Sequence, residues 1–130
     1  MCIFLSLSPV IYFVLYAFGW FAGGVCKSKR RLDGKIVVIT GGDSGIGYET
    51  SLDLAKRGAH IIMGCLNETR GEKAAQSIRL ISKQPVDVIP LNLAKFSSVR
   101  IFAAKVEKLT PKIDLLVNNA GGECSKVLII

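Results

Sequence analysis

The sequence predicts an α/β fold: a parallel sheet of about four strands with about three helices on its faces, preceded by one transmembrane helix. Three observations predict it. The first 26 residues hold no charged side chain, and Lys27, Lys29, Arg30 and Arg31 follow at once. Beyond them, short apolar runs alternate with segments whose apolar residues recur at helical spacing. A glycine cluster falls where the first run meets the first helical segment.

The apolar start is long enough to cross a bilayer. Ile3 to Val25 is 23 residues, about 34 Å as a helix against a hydrocarbon core of about 30 Å. No basic residue precedes Ile3, and the run exceeds the roughly 7–15 apolar residues of a cleaved secretory signal. The positive charges lie on its carboxyl side, which orients the folded part to the cytosol; the membrane expected is the endoplasmic reticulum or a related one. Trp20 falls near the exit, where an indole suits the interface. Ala22, Gly23 and Gly24 would suit cleavage and Pro9 weakens the first turn, so a cleaved signal and a buried segment stay open as alternatives.

The strands and helices then follow in order. Ile36 to Ile39 is an unbroken β-branched run, the pattern of a strand buried on both faces. Ile46 to Arg57 has helical spacing and meets Gly58 as a stop signal. His60 to Cys65 reads as a second strand, Gly71 to Ile81 as a second helix, and Val86 to Ile89, after Pro85, as a third strand. Val99, Phe102, Ala103, Val106 and Leu109 mark a third helix, which Pro111 stops; Ile113 to Val117 is a fourth strand. Strands alternating with helices argue for a parallel sheet between helix layers.

Charge and cysteines exclude several function classes. Of the formal +7, four charges belong to residues 27–31, leaving 13 basic against 10 acidic residues beyond. That balance, without aromatic–basic interleaving, excludes a nucleic-acid partner. The four cysteines form no Cys-x-x-Cys pair and His60 is the only histidine, so no metal site is expected. Free thiols fit a reducing compartment, and Cys124 reads as a chance residue.

Gly41, Gly45 and Gly47 occupy the first strand-to-helix turn. Glycine lets a backbone approach a pyrophosphate, and the helix head behind it offers free N–H groups and partial positive charge. Gly41 would permit the tight turn, Gly45 the close approach, and Gly47 the contact of helix with strand. No Gly-Lys-Ser/Thr follows, so the turn is not a P-loop.

The spacing of Thr40-Gly41-Gly42-Asp43-Ser44-Gly45-Ile46-Gly47 resembles the Thr-Gly-x-x-x-Gly-x-Gly turn of the short-chain dehydrogenase/reductase family. Asn118-Asn119-Ala120-Gly121, about 70 residues on, is similar to that family's second signature at the end of the fourth strand. Gly34-Lys35, Arg70-Gly71-Glu72 and the membrane segment look most like its retinol dehydrogenase-like branch. The resemblance implies the amino-terminal half of a Rossmann fold, with NADP or NAD as cofactor. It also implies hydride transfer to or from an alcohol or carbonyl, on a lipophilic, retinoid-like substrate.

Carried over residue by residue, it implies that Gly41, Asp43, Ser44, Gly45, Ile46 and Gly47 hold the pyrophosphate and adenosine ribose. Asn119, Ala120 and Gly121 would lie beside the cofactor, with Asn119 also steadying the sheet. Leu66 stands where the branch has an arginine for the NADP 2′-phosphate, and Cys65 where an acid would favour NAD, so neither cofactor is specified. Asn92 replaces the family's aspartate at the adenine amino group, and its side-chain carbonyl would accept the same hydrogen bond. Ala94 replaces a helix-capping serine, with Ser97 or Ser98 as caps for a helix that starts later.

The family's reaction also implies a serine and a tyrosine with a lysine four residues on. The tyrosines are Tyr12, Tyr16 and Tyr48, and Leu52 stands four after Tyr48. With no catalytic residue assigned and His60 read as a strand-start residue, these residues are expected to support no turnover.

The organisation expected is therefore a membrane anchor over 1–26, a basic flank and linker over 27–33, and a nucleotide-binding half-domain over 34–121. A tail over 122–130 departs from the family. Partners would be a nicotinamide dinucleotide, membrane lipid through residues 1–26, and a lipophilic substrate only within a longer product. The fourth strand is expected to be an exposed edge, with Val127 to Ile130 loose or pairing antiparallel to it. A non-catalytic binding isoform and an unstable gene-model fragment stay open as alternatives.

Overall fold

Side chains alternate across a strand, so an unbroken apolar run must be covered on both faces, and here it is. The computed structural model describes Phe13, Val14, Tyr16 and residues 27–121. The strands are β1 (Ile36–Thr40), β2 (His60–Cys65), β3 (Val86–Pro90) and β4 (Leu115–Val117). Between them run α1 (Gly45–Lys56), α2 (Glu68–Ser82) and α3 (Phe96–Leu109). The strands form one sheet in the order β3-β2-β1-β4, and every pairing is parallel. Val37 lies beside Ile61 and Leu115, and Val38 beside Ile62 and Leu116.

One face packs Val37, Ile39, Ile61 and Met63 against Ala55, Ala75 and Ile78 of α1 and α2. The other packs Val38, Ile62 and Ile89 against Phe102 and Val106 of α3. Burying each such side chain contributes about 1.5–3 kcal/mol, and the strands supply both layers at once.

The chain runs outward from β1 through β2 to β3, then returns to place β4 on the other side of β1. The strand order thus reverses at β1, and ligands of open α/β sheets bind in the crevice that such a reversal leaves at the carboxyl ends.

Boundaries differ from expectation where a side chain takes a backbone group. The second helix begins at Glu68 rather than Gly71, because Asn67 caps it by accepting the Arg70 N–H at 2.9 Å. The third helix begins at Phe96 behind Lys95, which makes no side-chain cap bond. Neither Ser97 nor Ser98 is its cap; Ser98 Oγ instead accepts the Asn92 N–H at 2.9 Å. The fourth strand starts at Leu115 rather than Ile113. Just before it, Asp114 binds the start of β1: its N–H donates to Ile36 O at 2.9 Å and its carboxylate accepts the Ile36 N–H at 3.0 Å. His60 opens β2, and its Nε2 stands 2.6 Å from Asp87 Oδ2 on β3.

Leu115 and Leu116 are 43% and 53% exposed, so β4 is an apolar edge among the described strands. The expected anchor, apart from three described residues, and the expected tail lie outside the described residues. Among the described residues no helix is long and apolar enough to cross a membrane.

Candidate cofactor-binding site

The head of α1 is left open by its own sequence. Ser44 is the N-cap in extended geometry yet makes no side-chain cap bond, and the first turn holds no acidic residue. The first intrahelical bond is Tyr48 N–H to Ser44 O at 3.2 Å. The amides of Gly45, Ile46 and Gly47 therefore have no intrahelical acceptor, and no acidic side chain of the first turn faces the positive end of the helix dipole.

Two glycines shape this turn. Gly41 has φ +68°, and an added Cβ would stand 3.0 Å from Ala120 Cα. At Gly47 a Cβ would lie 2.1 Å from Gly41 O and 2.5 Å from Asn119 Nδ2, which no side chain can satisfy. The contact that requires glycine at 47 is thus with the turn's own carbonyl and with the segment after β4.

That segment is stitched to the turn. Thr40 Oγ1 accepts the N–H groups of Asn119 at 3.1 Å and Ala120 at 2.9 Å. Asn119 Nδ2 donates to Thr40 O at 3.0 Å and Gly41 O at 3.2 Å. Thr40 is 7% exposed, so these bonds form away from bulk water and satisfy carbonyls that would otherwise be orphaned.

A cleft of about 620 Å³ opens at the carboxyl ends of the strands. Gly41, Asp43, Ser44, Ile46 and Gly47 line it from the turn, and Gly64 and Leu66 from the end of β2. Leu91 to Ala94 line it from the loop after β3, and Asn119, Ala120 and Gly121 from beyond β4. Gly41, Asp43, Ser44, Ile46, Gly47, Leu66, Asn92, Asn119, Ala120 and Gly121, all expected beside the cofactor, are there; Gly45 is not, and has φ +52° and open space where a Cβ would stand.

Asn92 differs from expectation in one respect. Its Oδ1 already accepts the Ala94 N–H at 2.9 Å, which leaves a single lone pair for a ligand. Cys65 is fully buried, and burial pushes its thiol up to about 11, with the Asp43 carboxylate adding to the effect. A thiol so placed is neither a nucleophile nor an acceptor for a ribose.

Two polar residues escaped the sequence reading. The Thr40 hydroxyl makes its bonds across 79 and 80 positions, and its place at the head of the glycine motif was the only local signal. Arg70 lines the cleft and pairs through Nε with Asp43 Oδ2, 27 positions away. Nothing in the local sequence marks that pair. Tyr48 turns to α2, its hydroxyl 3.0 Å from Ser77 Oγ, and is not among the cleft residues.

The short-chain dehydrogenase family model matches residues 35–129. Retinol dehydrogenase 13 of Mus musculus is 46% identical over 100 residues, which is 76% of this chain and 30% of that protein. The RhlG/NADP active-site complex of Pseudomonas aeruginosa superposes with a TM-score of 0.68 at 27% identity, over 75% of this chain and 38% of that one. NAD+-bound xylitol dehydrogenase gives 0.67 at 30% identity, over 72% and 35%. The chain spans about a third of the length of the curated relatives it matches. With the open α1 head, the stitched Asn119 segment and the matched residues together, the chain belongs to the short-chain dehydrogenase/reductase family, on its retinol dehydrogenase-like branch.

Proposed function

We propose that this chain binds a nicotinamide dinucleotide, NADP or NAD, across the carboxyl ends of β1 and β4. It would be the nucleotide-binding part of a membrane-anchored oxidoreductase acting on the alcohol or carbonyl of a lipophilic, retinoid-like substrate. The observation that carries the reading is the uncapped head of α1 facing a cleft bounded by Asn119 to Gly121. The fit is chemical: free amides and a helix dipole suit a diphosphate, and glycine at 47 keeps the turn closed. Similar proteins support the ligand class, since RhlG is solved with NADP and xylitol dehydrogenase with NAD+.

The cofactor, when bound, supplies hydride chemistry. The residues of this chain bind it, orient it and hold the floor of its site. Asn119 keeps the segment after β4 against the turn, and Ala120 N–H is committed to Thr40. No Tyr-x-x-x-Lys lies within the 130 residues, and Tyr48 spends its hydroxyl on Ser77. These residues alone therefore support no turnover; a tyrosine–lysine pair must come from elsewhere for a proton to accompany the hydride.

The uncharged stretch over residues 1–26 and the basic flank support anchoring, with the folded part on the cytosolic side of the endoplasmic reticulum. Retention in the membrane fraction after carbonate extraction is expected, and release to the supernatant would end that part of the reading. For the binding, detergent-solubilised full chain is titrated into NADH and into NADPH while nicotinamide fluorescence is followed. Saturable enhancement with at least one of them is expected; a flat response with both would overturn the assignment. Cofactor oxidation above a mock-purified control would contradict the expected lack of turnover.

A further inference from the structure

Parallel strands all begin at one end of their sheet, and the helices that join them run back and finish there. The starts of β1 to β4 and the last turns of α1, α2 and α3 therefore share one surface, at the end opposite the cofactor cleft. The charge on that surface is one-sided. Asp33 is paired with Arg31, Asp53 with Arg57, and Asp114 with Lys35 and Lys112, while Asp87 stands beside His60. Lys56, Lys83 and Lys108 at the three helix ends, and Lys27, Lys29 and Arg30 ahead of β1, are exposed. None of these six makes an ion pair among the described residues, and Glu107 is the carboxylate of that end left without a partner there.

A cation at the end of a helix complements its dipole, which accounts for Lys56, Lys83 and Lys108 taken singly. It does not account for the bases ahead of β1, nor for the apolar side chains exposed among them. Leu80 and Ile81 close α2 at 66% and 52% exposure, Leu109 closes α3 at 52%, and Ile113 precedes β4 at 47%. Lysines interleaved with exposed leucine and isoleucine are the composition that rests on an anionic lipid surface.

The path of the chain brings that surface to a membrane. Arg57 Nη1 donates to Ser28 O at 2.9 Å and Arg57 O accepts the Leu32 N–H at 2.8 Å, so the basic flank is held on the end of α1. The expected anchor runs to Val25. From there to Ser28 the chain can span no more than about 11 Å. That is close to the screening length of about 8–10 Å within which headgroup charge is felt.

We propose that this end of the sheet lies on the anionic headgroups of the membrane that anchors the chain, with the cofactor cleft facing away from the bilayer. The proposal rests on the anchoring read above and turns it into an orientation. Lys83 and Lys108 sit at the lipid surface, and Lys95, beside the cleft at the head of α3, points away from it.

The test reconstitutes the full chain into lipid nanodiscs of phosphatidylcholine alone and of phosphatidylcholine mixed with phosphatidylserine. A water-soluble amine-acylating reagent is added, and the labelling rate of each lysine is read by mass spectrometry. Lys83 and Lys108 are expected to react at least about threefold more slowly in the anionic discs, with Lys95 unchanged. Salt at 1 M, where the screening length falls to about 3 Å, is expected to abolish the difference. In the double variant Lys56→Glu with Lys108→Glu, the slowing at Lys83 is expected to shrink. Equal rates at Lys83 and Lys108 in the two discs, or an equal slowing at Lys95, overturns the inference and leaves anchoring intact. Full slowing at Lys83 in the double variant overturns it as well. A chain that stays outside both kinds of disc overturns the anchoring reading itself. Should the double variant fail to fold, the two discs and the salt comparison decide on the unsubstituted chain.

Discussion

Asn119 and Thr40 hold each other through side chain and main chain at once. The amide Nδ2 donates to Thr40 O at 3.0 Å, and the Thr40 hydroxyl accepts the Asn119 N–H at 3.1 Å. The end of β1 and the segment after β4 are thereby fixed as one surface, on which the glycine turn rests. Asn119→Ala removes the Nδ2 donor and strands the carbonyls of Thr40 and Gly41. A loss of about 1–3 kcal/mol in unfolding free energy is expected, together with weaker dinucleotide binding. Urea unfolding measures the first and fluorescence titration the second; a variant with unchanged midpoint and affinity would show the stitch to be idle.

Gly47 is intolerant of any side chain because the obstacle is backbone. A methyl group would meet Gly41 O at 2.1 Å. Gly47→Ala is expected to open the turn, costing at least about 1–3 kcal/mol of stability and more than tenfold in cofactor affinity. Thermal unfolding with and without nucleotide reports both, and near-unchanged affinity would mean that the turn does not touch the ligand.

Asp114 joins β4 to β1 and responds to acid. The Lys35 ammonium at 2.8 Å and the Ile36 N–H at 3.0 Å hold its carboxyl down to about 2, below the ordinary 3.8. A group depressed on folding contributes stability that is complete above its unfolded value and is lost as pH falls through its folded one. Asp114→Asn is therefore expected to melt below the unsubstituted chain at neutral pH, with the gap closing between about pH 4 and about pH 2. A gap that stays constant over that range would show the ionised carboxylate to be unimportant.

The elements were legible because burial wrote a period into each of them. His60 to Cys65 reads as a strand and forms one, since its run fills the layers on both sides of the sheet. Two of the boundaries that shifted did so where a side chain captured a backbone group, Asn67 at the head of α2 and Asp114 before β4, and Ser98 inside α3 captured the Asn92 N–H instead of capping its helix. Such captures depend on rotamers and partners that periodicity does not encode. The cleft was legible through its glycine spacing and its Asn-Asn-Ala-Gly run. Arg70 and Thr40 were not, because each acts on a residue far away in sequence, and only the crossing of β1 between β2 and β4 brings them together. The Asp87 partner of His60 escaped for the same reason.

The central claim is that the amides at the head of α1 receive a diphosphate. Amide-resolved NMR of the solubilised full chain during titration with NADPH tests it most directly. The account expects saturable shifts concentrated on Gly45, Ile46, Gly47 and Gly121, with little change at His60 on the opposite end of the sheet. Saturation that leaves the amides of residues 45–47 unmoved would contradict it.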